Sequence, residues 1–376
     1  MASRRKFISQ AAAGAATLAV SPYLMAASSG KITAQPVPES LIQSSTTKGG
    51  KWRPKFRFGQ GGAPLGGTNR LLVEDDEAVA ILDNAWNAGM RYFDTSPWYG
   101  LGLSERRFGH LLHRKPRAEY ILSTKVGRIL TAAPKPGSDF WAQPDSFDYN
   151  YDYSAAATRR SVEDSLQRMG VSSIDVVFIH DLSPDNDDLG GKYEEYMNQA
   201  IKGAMPELVK MREEGLIKAW GMGVNTIDPI LKALEVSDPD IHLAACQYTL
   251  LDHAESIEKL FPACEKKGNS IVVGSPLNNG FLAGADRYNY GGTIPEGFKA
   301  KRTKIEAIAK KHGTDLRTVA LQFCAAPETV STVIPGARKA NEPIENVVSF
   351  NERIPTDLWV ALKNEKLIHK DAPVPV

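Results

Sequence analysis

Arg91-Tyr92-Phe93-Asp94-Thr95-Ser96-Pro97-Trp98-Tyr99-Gly100 runs on into Leu101-Gly102-Leu103-Ser104-Glu105 and reaches Gly109. A short apolar run ends in an aspartate. A turn rich in Ser, Pro and Gly follows and carries a tyrosine. Ser104-Glu105 then opens a patterned helix, with Ser104 as its candidate cap. The stretch reads as strand, loop and helix start, with an acid at the strand end and a phenol in the loop.

The same unit repeats along the chain. Glycine-punctuated helices are expected over 74–88, 104–112, 155–169, 205–214, 228–236, 256–267, 298–311, 316–325, 341–349 and 356–365. Short apolar strands precede or separate them: Phe56–Phe58, Tyr92–Phe93, Tyr120–Val126, Ile174–His180, Ile217–Val224, Leu243–Tyr248, Ser270–Gly274 and Val330–Ile334. Residues 127–153 read as irregular and 181–203 as a polar loop. Buried β-branched strands alternating with helices imply a parallel sheet. Eight repeats favour an α/β fold, a single-domain (β/α)8 TIM barrel. A doubly wound sheet would carry Gly-x-Gly-x-x-Gly after its first strand. Gly59 and Gly61 begin one, but Pro64 stands where the third glycine belongs, and Gly221-Met222-Gly223 also lacks it.

The 376 residues are 42% hydrophobic and 24% charged, with net charge +1. No basic footprint for nucleic acid is present. Cys246, Cys264 and Cys324 are too few and too scattered for a disulfide framework or a metal site. At the N-terminus, Arg4-Arg5 precedes a weakly apolar Ala/Gly run that closes on small residues near Ser29. This looks like a bacterial twin-arginine export signal over residues 1–30. Gly14, Ser21 and Pro22 argue against a stable membrane span. Residues 31–52 read as a linker or surface arm, and 53–376 as the barrel. The implied location is periplasmic or otherwise exported, with a twin-arginine translocase as transient partner; a cytoplasmic chain is the alternative.

A barrel builds its site from the C-terminal ends of its strands. Asp94 ends the second strand, Tyr99 lies just beyond, Lys125 lies near the end of the third, and His180 ends the fourth. A lysine ammonium beside a phenol favours the phenolate, so Lys125 is expected to lower the pKa of Tyr99. Asp94 can keep that lysine charged, and an imidazole can orient a carbonyl or alcohol. The set suits proton transfer at a C–O group, without a metal or serine nucleophile. Proton movement without hydrolysis suggests hydride transfer with a nicotinamide.

Phe93 to Gly100, Ser104-Glu105, Ser123-Thr124-Lys125 and Phe178-Ile179-His180 together resemble the aldo-keto reductase superfamily, over about residues 56–366. The resemblance implies a barrel that binds NAD(P)(H), with Tyr99 as acid/base, Lys125 and Asp94 tuning it, and His180 orienting the substrate. It also implies Asn225 and Gln247 as carboxamide ligands. Gly274-Ser275-Pro276-Leu277 would run along the nicotinamide and pyrophosphate, and Gly336-Ala337-Arg338 with Asn346 would hold the adenosine end. Many relatives stack an aromatic where this chain has Gly274. NADP-selective relatives carry a lysine and an arginine where this chain has Gly336 and Glu342, which favours NAD over NADP.

Within the superfamily, Gly61 to Gly66, Val333 to Arg338 and Leu367 to Pro373 look most like the sugar-oxidising branch, the D-threo-aldose 1-dehydrogenase and L-fucose dehydrogenase group. That likeness implies an aldose or aldehyde substrate. Pyridoxal-type chemistry and a low-turnover nucleotide-binding sensor are the alternatives. The 127–153 segment is expected to wall the pocket, and 278–295 to cover the cofactor.

Overall fold

Side chains alternate across a strand, so residues two apart share a face. In the computed structural model, which describes residues 36–375, that alternation sorts each strand between two buried layers. Tyr92, Ile121, Val176, Phe178, Ala219, Ile241, Leu243 and Val272 pack together inside. Phe93, Leu122, Val177, Ile179, Trp220, Ile271 and Val273 pack outward against helices. Both faces being apolar is what a parallel sheet wrapped in helices requires.

The strands among the described residues are β1 (Gly59–Gly61), β2 (Tyr92–Asp94), β3 (Ile121–Val126), β4 (Arg128–Ala132), β5 (Phe147–Tyr151), β6 (Val176–His180), β7 (Ala219–Val224), β8 (Ile241–Ala245), β9 (Ser270–Gly274) and β10 (Val330–Ile334). Eight pair in parallel in the order β1-β2-β3-β6-β7-β8-β9-β10. Parallel bridges Phe58↔Val333 and Gly61↔Gly336 bring the last strand back to the first. The expected (β/α)8 barrel is the observed fold.

Local differences have local causes. The first strand was expected at Phe56–Phe58, but pairing with β2 starts at Gly59. Phe56 instead bridges Ile42. The 36–52 segment, read as a linker or surface arm, forms a hairpin with a second bridge at Thr46↔Trp52. Its Val37 and Trp52 pack on the inner core, so the hairpin closes the N-terminal end of the barrel. Thr47 Oγ1 donates to Gly268 O at 2.8 Å, and Gln43 Nε2 to Ser331 O at 2.7 Å. Gly49 is required here, because a Cβ would lie 2.4 Å from Gly268 Cα. The twin-arginine motif lies outside the described residues.

The 127–153 segment is not irregular throughout. β4 and β5 form an antiparallel hairpin, Arg128↔Tyr151 to Ala132↔Phe147. The 181–203 segment contains a helix, Tyr193–Lys202. The helix expected at 256–267 opens as a π turn over Ser256–Leu260 before Phe261–Lys267. Pro262 has no N–H to give an α-type ladder there.

Ser104 does not cap its helix. The helix is Leu103–Leu112, and the residue before it, Gly102, has φ 97°. The Ser104 hydroxyl donates to Gly62 O at 2.9 Å and accepts from Thr95 Oγ1 at 3.0 Å. Glu105 is fully buried; it accepts from Thr124 Oγ1 at 2.8 Å and Arg168 Nε at 2.5 Å. These contacts fasten the Asp94–Gly109 loop and helix to β3 and the helix Ala155–Met169.

Candidate active site

The inner-face parity that builds the core also builds the site. Two residues beyond Tyr92 on β2 comes Asp94. Two and four beyond Ile121 on β3 come Ser123 and Lys125, and four beyond Val176 on β6 comes His180. The same step on β7, β8 and β9 reaches Gly223, Ala245 and Gly274. The inner layer at the C-terminal end is therefore polar on one side and nearly bare on the other. Above it lies a cavity of about 860 Å³, lined by Asp94, Tyr99, Lys125, His180, Gly223, Ala245 and Gly274 among others. That volume is at the upper end for a small-molecule or cofactor site.

Asp94 and Lys125 are almost wholly buried, with side chains 2% and 1% exposed, and pair at 2.8 Å. Lys125 Nζ also donates to Thr95 O at 2.8 Å, and Ser123 Oγ donates to the other Asp94 oxygen at 2.7 Å. The register places Ser123 directly beside Asp94. A buried charge needs such a partner, because desolvation of an isolated ion far exceeds what packing returns. The Tyr99 ring lies with its centroid 4.6 Å from Lys125 Nζ. The His180 ring meets it edge-on at 5.7 Å. The four residues expected at consecutive strand ends thus converge.

One electrostatic expectation is corrected. Lys125 was expected to draw the Tyr99 pKa down. The Tyr99 phenol is instead pushed well above its ordinary value, by burial first and then by Asp94, Tyr290 and Asp181, with Arg128 opposing. The physical reason is first that burial strips the phenolate of water, with Asp94 repelling it, while Lys125 is already engaged by Asp94 and Thr95 O. Tyr99 is a phenol held in its protonated form. The His180 imidazole is pushed well below its ordinary range by burial; Asp181 opposes this, and Lys125 and Arg128 reinforce it.

Asn225, Gly274, Ser275, Pro276, Leu277, Gly336, Ala337, Arg338 and Asn346 all line the cavity. Gln247 is not among its lining residues. Its amide donates to Asn225 O at 2.5 Å, so it supports the neighbouring strand end. The Glu342 carboxylate accepts from the backbone N–H groups of Arg338 at 2.6 Å and Lys339 at 3.4 Å. Buried polar atoms without a partner cluster at this end: Arg287 Nε, Arg338 Nε and Asn279 Nδ2. All three are donors, and their residues line the cavity. A donor-rich wall fits an anionic pyrophosphate, so the residues present fit a nicotinamide dinucleotide.

Arg128 and Tyr149 of the 127–153 segment and Arg287 and Tyr290 of the 278–295 segment line the cavity, within stretches expected at the site, whereas Asp181, Asn186 and Asp188 were not foreseen. Arg128 and Tyr149 come from the β4–β5 hairpin. A signal for that hairpin was available, since Phe147, Tyr149, Tyr151 and Tyr153 recur at every second position. Gly127 separates Lys125 from Arg128 at φ 117°, and a Cβ there would lie 2.3 Å from Tyr153 Cε1. Asp181 has φ 45°, a left-handed conformation uncommon for a non-glycine residue.

A profile of the Aldo/keto reductase family matches residues 57–364. The chain belongs to this family. It is thereby an NAD(P)-dependent oxidoreductase. It is 36% identical to a D-threo-aldose 1-dehydrogenase of Pseudomonas sp, over 83% of this chain and 94% of that protein. It is 34% identical to a pyridoxal 4-dehydrogenase of Microbacterium luteolum, with the same coverage of each chain. Among solved structures, an aldo-keto reductase of Bacillus halodurans in its holo form superposes with TM-score 0.65 at 23% identity. That match covers 89% of this chain and 98% of the other, and shows the shared fold.

The buried pair gives a test. Asp94→Asn leaves the Lys125 ammonium unpaired and should cost about 3 kcal/mol in denaturant unfolding. Adding Lys125→Met should recover most of that loss. Additive losses in the double variant would show that the two side chains do not act as a pair.

Proposed function

We propose that this oxidoreductase is an NAD-preferring aldose 1-dehydrogenase, oxidising the anomeric C–OH of a sugar to a lactone. The observation that carries the substrate class is the cavity wall. Carboxylates of Asp181 and Asp188 and the amide of Asn186 line it beside Trp98, Trp141 and Tyr149. A sugar presents hydroxyl donors around its edge and apolar C–H faces; the carboxylate oxygens here already accept from Arg128, Tyr149 and Tyr151, but each carries a further lone pair, beside aromatic faces. A flat pyridine aldehyde would use fewer of those acceptors. The likeness to the Pseudomonas enzyme agrees with the sugar reading.

When bound, the nicotinamide takes or supplies the hydride at the carbon. The chain's own residues handle the oxygen. His180 positions it and Tyr99 exchanges its proton. Since Tyr99 is held as the neutral phenol, it is ready to protonate a carbonyl oxygen. Taking a proton from a sugar hydroxyl needs the phenolate, so oxidation should speed up as pH rises, and carbonyl reduction should slow at alkaline pH.

NAD preference rests on Glu342. Its carboxylate already occupies the Arg338 and Lys339 N–H groups that a 2′-phosphate could use. A free hydroxyl at that place brings no second anion.

We also propose export by the twin-arginine route, on the strength of Arg4-Arg5 and the run that follows. The three cysteines are free and buried, which suits a protein folded in a reducing compartment before transport.

The function is tested by following reduced-cofactor absorbance over a panel of aldoses and aldehydes, with NAD and with NADP. Aldose oxidation should dominate with NAD, Tyr99→Phe should abolish it, and Glu342→Arg should shift preference toward NADP. Turnover of pyridoxal but no aldose would overturn the sugar reading. Tight nucleotide binding without any turnover would mark a sensor. Export is tested by cell fractionation: wild-type protein should reach the periplasm and the Arg4→Lys/Arg5→Lys variant should not. Equal distribution of the two would exclude the route.

A further inference from the structure

Arg128 has no place in the reading above, yet it is the most tightly held cation on the cavity wall apart from Lys125. Its residue surface is 4% exposed. The guanidinium carbon lies 4.3 Å from the Trp98 ring centroid and 4.7 Å from that of Tyr151. One nitrogen, Nη1, donates to Asp181 Oδ2 at 2.8 Å, and the same nitrogen lies 3.5 Å from His180 Nδ1. Burial works against the charge, and Asp181 with Tyr151 and Tyr153 outweighs it. An arginine fixed between two aromatic faces has little freedom to leave.

The surroundings of His180 are single-valued in polarity. A guanidinium only donates, so toward Arg128 the Nδ1 atom can only be an acceptor. Ser96 Oγ lies 3.1 Å from the same Nδ1 and already receives the Trp98 N–H at 3.1 Å, leaving its O–H free to donate to the ring. On the other side, Nε2 lies 3.5 Å from Asp181 Oδ1, which as a carboxylate oxygen only accepts. Donors face Nδ1 and an acceptor faces Nε2.

We propose that Arg128 is a positioning residue: clamped by Trp98 and Tyr151 and paired with Asp181, it holds His180 as the neutral imidazole with its proton on Nε2. Arg128 does this in two ways. Its donor-only edge excludes a proton from Nδ1. Its charge neutralises Asp181, which would otherwise stabilise an imidazolium. The strained backbone at Asp181 (φ 45°) is then the conformation that sets its carboxylate between arginine and ring. The charged or titratable groups that bear on the ring are Asp181, Lys125 and Arg128, with the Tyr99 ring edge-on and Ser96 in contact. At 3.5 Å the Asp181 contact does not bind the Nε2 proton in a hydrogen bond, so for the proposed reaction His180 meets a substrate oxygen as a hydrogen-bond donor that is not itself a competing acid. This rests on the proposed role of His180, but its test does not depend on turnover.

The test is long-range 1H–15N NMR of the free, full-length protein, with His180→Gln assigning one signal among the seven histidines. In wild type, His180 should show the neutral Nε2–H tautomer from about pH 5 to 8, a window in which an ordinary histidine titrates. In Arg128→Met, it should become protonated at a pH higher by at least about one unit, because Asp181 is left unpaired. Arg128→Lys should restore the neutral form in part, since it returns the charge without the fixed planar fork. A wild-type His180 that carries its proton on Nδ1, or titrates near its ordinary value, would overturn the proposal even if Arg128→Met fails to fold. So would an Arg128→Met protein with an unchanged His180 titration. If the NMR result holds while Tyr99→Phe keeps full turnover, the catalytic reading fails and the positioning role stands.

Discussion

The ion pair between Asp94 and Lys125 is the constraint around which the site is arranged. Two opposite charges lie at 2.8 Å inside the barrel, on adjacent strands, almost without solvent. Neither could be buried alone. Ser123 Oγ and Thr95 O satisfy what the pair leaves open. The result is a polar unit that uses up its own charge. A lysine spent in this way does not offset the burial that raises the tyrosine. Lys125 holds Asp94 and the start of the Tyr99 loop in place, and the phenol above it keeps its proton.

The inner layer at the C-terminal end is divided by residue size. β2, β3 and β6 present Asp94, Lys125 and His180, whereas β7, β8 and β9 present Gly223, Ala245 and Gly274. The bare side leaves the cavity room for a flat ring, and the polar side supplies groups for the oxygen chemistry. The walls then differ in character. Acidic and aromatic groups from the β4–β5 hairpin and the loop after β6 face one side, and unpartnered arginine and asparagine donors face the other. A neutral polyol and an anionic dinucleotide suit these two walls in turn.

Short apolar runs were legible wherever a strand was buried on both faces, so the barrel and the strand-end residues Asp94, Lys125 and His180 could be read directly. Tyr99 was legible because its loop is short and tied to the strand. The β4–β5 hairpin was hidden because Pro134, Pro136 and Gly137 dominate the reading of its loop, although the aromatic alternation over 147–153 marked its second strand. With it went Arg128, whose partners Asp181, Trp98 and Tyr151 come from three separate segments. The direction of the Tyr99 shift was misread for a related reason. A sequence shows which charges lie near a strand end, and even that Asp94 can pair Lys125, but not how deeply the phenol is buried. The packed hairpin at 39–56 was missed because Pro36, Pro38 and the Ser/Thr-rich run 44–47 carry the composition of a linker, although Trp52 and Phe56 carry the packing.

The central claim is that burial, with Asp94 nearby and Lys125 paired to it, keeps Tyr99 a neutral phenol. The direct measurement is 13C NMR of tyrosine Cζ in the free protein across pH, with Tyr99→Phe assigning its signal among the twelve tyrosines. The account predicts that Tyr99 stays protonated through about pH 10, where a free tyrosine is half ionised. A Tyr99 that ionises below about pH 9 would show an unspent lysine charge acting on it, and would contradict the account.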